Sequence, residues 1–390
     1  MSMQWIRRVV PATCLCLAFC GAFPSLALAG KAVQLRAGQV SAMTQNLYIG
    51  AEVLDIAGAP TVCDLMTAAD AAVQQVLAND FAQRADALAA SIAAGRPDVV
   101  GLQEVFQVIR SDLAGNPFAF DDYLVMLLDA LNGQGVTYYA AGIRNSTPIT
   151  VPADSGGDCA PDYLGTIVDR DVILCRDDVD CSAAASANYA NNVGATTPAG
   201  DITIERGWVS VVASVKGRSY RVASTHLEVD GSEPFRAVQY AQAVELAATL
   251  DFMSADGLPQ IVLGDFNSEN SAGLTTCMVP PDPTIFPCPS AYQVMAAAGF
   301  QDTWLARGGR PDEGLTCCQD VDLRNAESML TRRLDYVWVR GSTGHYGGPE
   351  VRGVRSEVLG DQQSDRTVPD GLWPSDHAGV VADMVLRTPR

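Results

Sequence analysis

Six short stretches of this 390-residue sequence place polar side chains where apolar runs begin or end. Glu104 closes the run 98–103, His226 follows the run 220–224, and Asp265 and Asn267 flank Phe266 just after the run 260–263. Asp335 opens the run 334–339, Asp376 and His377 precede the run 378–386, and Asn46 lies in a stretch that reads as strand. Carboxylates, imidazoles and amides gathered in this way suit the hydrolysis of a phosphate ester. That reaction asks for a divalent cation to neutralise phosphoryl oxygens, a carboxylate to aim and deprotonate water, and donors where charge develops. Mg²⁺ prefers one or two carboxylates plus waters and substrate oxygens, so a lone glutamate at a strand end suits it, and Glu104 is the first candidate ligand. His226 and His377, two of only three histidines, can each donate to a phosphate while a carboxylate fixes the other ring nitrogen. His345, in a glycine-rich segment, has no such company.

The elements that must hold these groups are legible in outline. Apolar residues recur at helical spacing over 67–94 until Gly95 and Pro97 stop the pattern, and the next run, 98–104, reads as a buried strand that this helix covers. Residues 204–215, a turn at Lys216-Gly217, and 220–224 form a hairpin that delivers His226. A helix over about 234–253, with Pro234 at its start, leads to the strand 260–263. If the strands 334–339 and 378–386 run antiparallel to the earlier ones, all the polar clusters meet at one edge of the fold. Asp265-Phe266-Asn267 then sends Phe266 to the core and both polar side chains to one side. Trp208, Trp304, Trp338 and Trp373 are expected to fill core rather than stack on bases. Segments 150–203 and 270–330, rich in Gly, Pro, Asp, Asn and Ser, read as surface insertions stapled by disulfides.

Taken in order, TQNLYIG (44–50), VVGLQEV (99–105), ASTHLEV (223–229), VLGDFNSE (262–269), RRLDYVWV (332–339) and PSDHAGV (374–380) resemble the endonuclease/exonuclease/phosphatase superfamily. That superfamily includes pancreatic-type deoxyribonucleases, abasic-site endonucleases, bacterial neutral sphingomyelinases and inositol polyphosphate 5-phosphatases. The resemblance spans nearly the whole chain after its first 29 residues. It implies an α/β fold, a four-layer sandwich of two packed mixed β-sheets flanked by helices. It also implies that Asp265 orients the attacking water, that Asn267 holds a phosphoryl oxygen, and that Asp335 partners His377. By the same resemblance Asp376 lies near a divalent cation, Mg²⁺ or in its place Mn²⁺ or Ca²⁺, and Asn46 lies near that cation or the substrate phosphate. Arg170, between two aspartates in IVDRDVIL, is either a contact to the substrate phosphate or an ion-paired structural residue.

Residues 1–29 read as a cleaved signal peptide: Arg7 and Arg8, an apolar stretch, then Ala27-Leu28-Ala29 before Gly30. Residues 30–390 are then expected to form a single catalytic domain in a secreted or periplasmic protein, with no further stretch able to span a bilayer. Eleven cysteines become eight once the leader leaves, an even number that favours disulfides in an exported chain. Cys175 with Cys181 and Cys277 with Cys288 are the natural local pairs, whereas the adjacent Cys317 and Cys318 are expected to seek different partners. Loss of Arg7 and Arg8 moves the net charge from −19 to −21, which counts against a tight non-specific grip on duplex DNA. The substrate is therefore open among nucleic acid, a phospholipid head group and a small phosphoester. A sphingomyelinase-like lipid phosphodiesterase is the runner-up; relatives of that kind reach the bilayer through exposed aromatics on a hairpin, and no such hairpin is legible here. A non-catalytic exported binding module with the same fold should have lost part of the polar set, and none is missing.

Overall fold

The first central sheet lies at the middle of a computed structural model that describes residues 39–231, 233–270, 275–278, 285–341 and 351–386. Its strand order is Arg352–Leu359, Gly379–Val385, Gln39–Asn46, Val99–Gln103, Arg170–Arg176 and Tyr138–Asn145. A second six-stranded sheet runs Gln301–Asp302, Asp335–Arg340, Gln260–Asp265, Arg218–His226, Gly207–Val215 and Asp180–Asn188. Both are mixed. Gln39–Asn46 is parallel to Val99–Gln103 and antiparallel to Gly379–Val385; Gln260–Asp265 is parallel to Arg218–His226 and antiparallel to Asp335–Arg340. The two late strands thus run against the earlier ones, as the convergence of the polar clusters required. Residues 1–29, expected to be a signal peptide, and His345 lie outside the described residues.

Side-chain alternation sorts the strands into four layers. Val99, Ile173, Val209, Val222, Ile261 and Leu263 point between the sheets. Val100, Leu102 and Val172 face the other way, onto Leu88 and Ile92 of helix Phe81–Gly95 and Leu127 and Leu131 of helix Tyr123–Gly133. On the far side Val262, Phe266 and Trp338 pack against Leu246 and Leu250 of helix Phe235–Met253 and Met295 of helix Ala291–Ala297. The sheets approach so closely at Gly101 that a β-carbon there would meet Leu263 Cβ at 2.7 Å and Ser224 Oγ at 2.8 Å. Trp304, Trp338 and Trp373 are buried, and Trp208 packs half-buried against the outer core.

Three sequence expectations change. The single helix over 67–94 is two helices, Val62–Ala78 and Phe81–Gly95. Asn79 closes the first through its N–H, and Asp80, at φ 32°, caps the second by accepting from Gln83 N. Both residue types favour caps because their side chains satisfy the free backbone groups at helix ends. Segment 150–203 is more than an insertion: it supplies the wholly buried strand Arg170–Arg176 and the edge strand Asp180–Asn188. Its first part, Ile149–Ala153 and Tyr163–Val168, forms a side sheet with the hairpin Gln107–Ser111/Pro117–Asp122. The described residues contain four disulfides: Cys63–Cys159, Cys175–Cys181, Cys277–Cys288 and Cys317–Cys318. The two local pairs are as expected, but Cys317 and Cys318 bond to each other rather than to separate partners.

At the strand ends away from the polar clusters, Asp98 receives Arg176 Nη2 at 2.6 Å and the Ser41 N–H at 2.8 Å. That carboxylate is structural. Glu104, at the opposite end of the same strand, has no cationic partner in hydrogen-bonding contact among the described residues.

Candidate active site

Strand register brings the clusters together. Asn46 pairs with Gln103, next to Glu104, while His226 pairs with Asp265 and Asp265 with Asp335 across neighbouring strands. His377 lies two residues before Gly379–Val385 and reaches the same edge. One side chain joins the two sheets there. Asn46 Nδ2 donates to Glu104 Oε1 and to Asp265 Oδ2, both at 3.1 Å, and its orientation is fixed by the Tyr48 N–H, which donates to Asn46 Oδ1 at 2.9 Å. Glu104 Oε2 accepts from the Ile49 N–H at 3.0 Å.

Asp265 is the centre of the array. Its Oδ1 accepts from the Asn267 N–H at 2.9 Å, and its Oδ2 lies 3.6 Å from the Nε2 atoms of both His226 and His377. His377 Nδ1 is 2.8 Å from Asp335 Oδ2, the partnership expected from sequence. Asn267 Nδ2 donates to Leu227 O at 3.0 Å and lies 3.2 Å from His226 Nε2. Phe266 is fully buried between these two polar residues. Glu104 and Asn267 both adopt left-handed backbone, at φ 55° and 49°, a conformation that costs a non-glycine residue about 1 kcal/mol or more and that persists where surroundings enforce it.

Those surroundings include residues the sequence reading did not single out. The guanidinium of Arg84, fully buried, donates to Leu47 O at 2.7 Å, Tyr48 O at 3.0 Å and Pro374 O at 3.2 Å, tying the loop after Asn46 to the loop before Asp376. Ser375 Oγ donates to Asn46 O at 2.8 Å and accepts from the His377 N–H at 3.1 Å. Residues 316–319 run alongside: Ala378 N donates to Thr316 O at 2.8 Å, Gln319 N to Asp376 O at 2.9 Å, and Cys318 Sγ stands 4.0 Å from His377 Nε2.

The sequence profile of the Endonuclease/Exonuclease/phosphatase family matches residues 73–377. The chain belongs to this family. Its members hydrolyse phosphate esters, and the chain is an enzyme of that class. Among solved structures it is similar to D. rerio TDP2 humanised by 14 mutations, with TM-score 0.50 and 15% identity over 89% of this chain and 99% of that one. Truncated TDP2 of Caenorhabditis elegans gives 0.49 and 18% over 90% and 99%, and mannosyl-6-phosphatase of Bacteroides thetaiotaomicron gives 0.49 and 18% over 89% and 99%. No curated protein matches the chain by sequence.

Within this family fold the two histidines face opposite fields. Burial opposes charge on His377, but Asp335, Asp265 and Asp376 outweigh it and hold the imidazole well above its ordinary range. Burial, aided by Arg206, drives His226 well below that range. The expectation that a carboxylate fixes the other nitrogen therefore holds for His377 and fails for His226, whose Nδ1 lies 2.9 Å from Arg206 Nη1. Arg206 was within reach of a hairpin reading: it immediately precedes Gly207, and Gly207 pairs with His226.

Burial, with Asp376 and Asp169 nearby, pushes Glu104 up to about 7, and burial pushes Asp265 up to about 6 against the pull of His377. Burial also raises Asp376, with Asp265 adding to it and His377 opposing. Members of the family depend on divalent metals in general. The donors fit a hard cation: Glu104 and Asp376 offer carboxylate oxygens that disfavour each other's charge, and each Glu104 oxygen takes a single N–H. Asn46 is beside these groups, but it presents its amide nitrogen to the carboxylates and gives its oxygen to Tyr48.

Arg170 is not among the residues brought together. Its Nη2 and Nη1 lie 2.5 and 3.2 Å from the two oxygens of Asp122, and its Nε donates to Val105 O at 2.7 Å. Asp122 in turn caps helix Tyr123–Gly133. The guanidinium braces the turn just after Glu104 instead of facing a substrate phosphate.

Proposed function

We propose that this protein is an exported phosphodiesterase in which Asp265 takes the proton of an attacking water. The observation that carries this reading is the placement of Asp265 Oδ2 at 3.6 Å from the Nε2 of both His226 and His377. A phosphoryl group between the two imidazoles meets a carboxylate base from a third side. Asn267 and His226 supply hydrogen-bond donors to its oxygens, and His377, held by Asp335, supplies positive charge and a proton for the leaving oxygen as the ester P–O bond breaks. Glu104 and Asp376, beside Asn46, would hold the divalent cation, Mg²⁺ or alternatively Mn²⁺ or Ca²⁺. Bound there, the cation neutralises charge on the phosphoryl oxygens. Four nearby carboxylates, Glu104, Asp265, Asp335 and Asp376, favour a singly charged diester over a doubly charged monoester. Export is supported by the leader-like residues 1–29 and by the disulfides.

A lipid phosphodiester is the second reading. The hairpin Gln107–Ser111/Pro117–Asp122, which sequence did not reveal as such, begins three residues after Glu104 and exposes Leu113, Phe118 and Phe120. No helix among the described residues is long and apolar enough to cross a membrane. Nicking of supercoiled plasmid and release of phosphocholine from sphingomyelin vesicles, each with Mg²⁺ and with EDTA, separate the two substrates. Loss of both activities in Asp265→Asn excludes contamination. Failure on plasmid, vesicles and a chromogenic diester alike counts against the phosphodiesterase reading.

A further inference from the structure

His226 and His377 are equidistant from Asp265, yet the groups at their Nδ1 atoms have opposite charge: Arg206 at 2.9 Å for one, Asp335 at 2.8 Å for the other. A guanidinium donates and never accepts. The Arg206 contact therefore forms only when His226 Nδ1 carries a lone pair, which places the proton of the neutral ring on Nε2. Nε2 faces an acceptor, Asp265 Oδ2, at 3.6 Å. The Asn267 amide nitrogen, 3.2 Å from Nε2, is a competing donor, but it already gives a hydrogen to Leu227 O, and the shorter, charged Arg206 contact decides the tautomer.

Arg206 is itself held in place. Its Nη1 lies 3.5 Å from Asp169 Oδ2, and the same Asp169 oxygen lies 3.7 Å from Arg144 Nη1, which also meets Asp171 Oδ2 at 3.3 Å. Glu228, Asp169 and Glu104 sustain its charge against burial. The charged and titratable groups acting on His226 are thus Arg206, Asp265, His377 and Arg144.

We propose that Arg206 is a positioning residue that locks His226 in its neutral Nε2–H form, making it a fixed hydrogen-bond donor to the phosphoryl group, while proton transfer is left to Asp265 and His377. The role given to the donor rests on the phosphodiesterase reading; the lock itself does not, and it is measured without substrate.

The chain has three histidines, so the mature protein labelled with ¹⁵N-histidine gives a spectrum simple enough to assign, with His226→Gln identifying the resonances of interest. The expected result is a protonated Nε2 and an unprotonated Nδ1 on His226, unchanged from about pH 5.5 to 8, across the ordinary imidazole range. Arg206→Met should release the lock, giving mixed tautomers or an ordinary titration, and should lower kcat by roughly 10²-fold, the usual loss for one misplaced donor. Arg206→Gln, which can both donate and accept at Nδ1, should also give mixed tautomers, and it serves if the methionine variant does not fold. A proton on His226 Nδ1 in the wild-type protein, or a His226 signature that neither substitution changes, overturns the proposal. A locked His226 in a protein that hydrolyses no phosphate diester would instead overturn the functional reading and leave the lock standing.

Discussion

The Asn46 amide nitrogen lies 3.1 Å from Asp265 Oδ2, a hydrogen bond between the ends of strands that belong to different sheets. The same nitrogen reaches Glu104, so one buried amide sets the distance between the proposed base and the proposed cation ligand. Asn46→Ala should leave two carboxylates short of a donor. We predict a loss of about 1–3 kcal/mol in stability and a fall in kcat of roughly 10²-fold, read by urea denaturation and steady-state kinetics. Activity within threefold of wild type would show that the two sheets hold the site without this clamp.

Arg170 offers a contrasting case. Its ion pair with Asp122 is largely buried, so Arg170→Ala should destabilise by about 3–5 kcal/mol through the uncompensated carboxylate and the unsupported turn after Glu104. A contact to the substrate phosphate predicts instead a raised KM in a protein of normal stability. Urea denaturation and KM together decide between the two, and a double-mutant cycle with Asp122→Ala should show strong coupling.

Stability should depend on pH with a sign set by the buried carboxylates. Burial raises Glu104 to about 7 and Asp171 to about 8, and aspartates hold His377 above its ordinary range. Between about pH 6.5 and 8 the folded, cation-free protein therefore keeps protons that the unfolded chain has released, and stability must fall as pH rises. His226, lowered by burial and Arg206, adds the opposite dependence only below its ordinary range, where the unfolded ring takes up a proton. Melting temperatures in EDTA should decline from pH 6.5 to 8, and saturating Mg²⁺ should flatten the decline by favouring ionised Glu104. A rise over this window in EDTA would contradict the assignment.

The disulfides differ in the chain length they close, 96 residues for Cys63–Cys159 and 6 for Cys175–Cys181. On the chain-entropy account, loss of the first costs about 4–5 kcal/mol and loss of the second about 2 kcal/mol. Replacing each pair by serines and comparing urea midpoints tests the ratio. Equal effects would mean that native packing, not the unfolded chain, sets their contribution.

Much of this site was legible because its residues sit at strand ends, where a short apolar run and a terminal polar residue are read together. Glu104, His226, Asp265 and Asp335 are of that kind; register alone makes the last three neighbours, and the packing of the two sheets, bridged by Asn46, brings Glu104 to them. Arg206 and Arg84 escaped because their roles depend on what lies opposite them in space, His226 in one case and three backbone carbonyls in the other. Arg170–Arg176 reads as part of an insertion because Gly, Pro and Asp surround it on both sides, and composition averaged over about fifty residues hides a buried strand of seven. The Asn79–Asp80 break was hidden for the converse reason. Apolar spacing continues across it, and only the capping chemistry of two adjacent residues interrupts the helix.

The central claim is that Asp265 serves as the base in a cation-dependent hydrolysis, and the most direct measurement is turnover of a chromogenic phosphate diester by wild-type protein and Asp265→Asn. With Mg²⁺ the wild type should hydrolyse it and with EDTA it should not. The variant should lose at least about 10³-fold in kcat while keeping the native melting profile, since the amide preserves shape but cannot accept the water proton. Near-normal turnover by Asp265→Asn, or wild-type turnover that survives thorough chelation, would contradict the account.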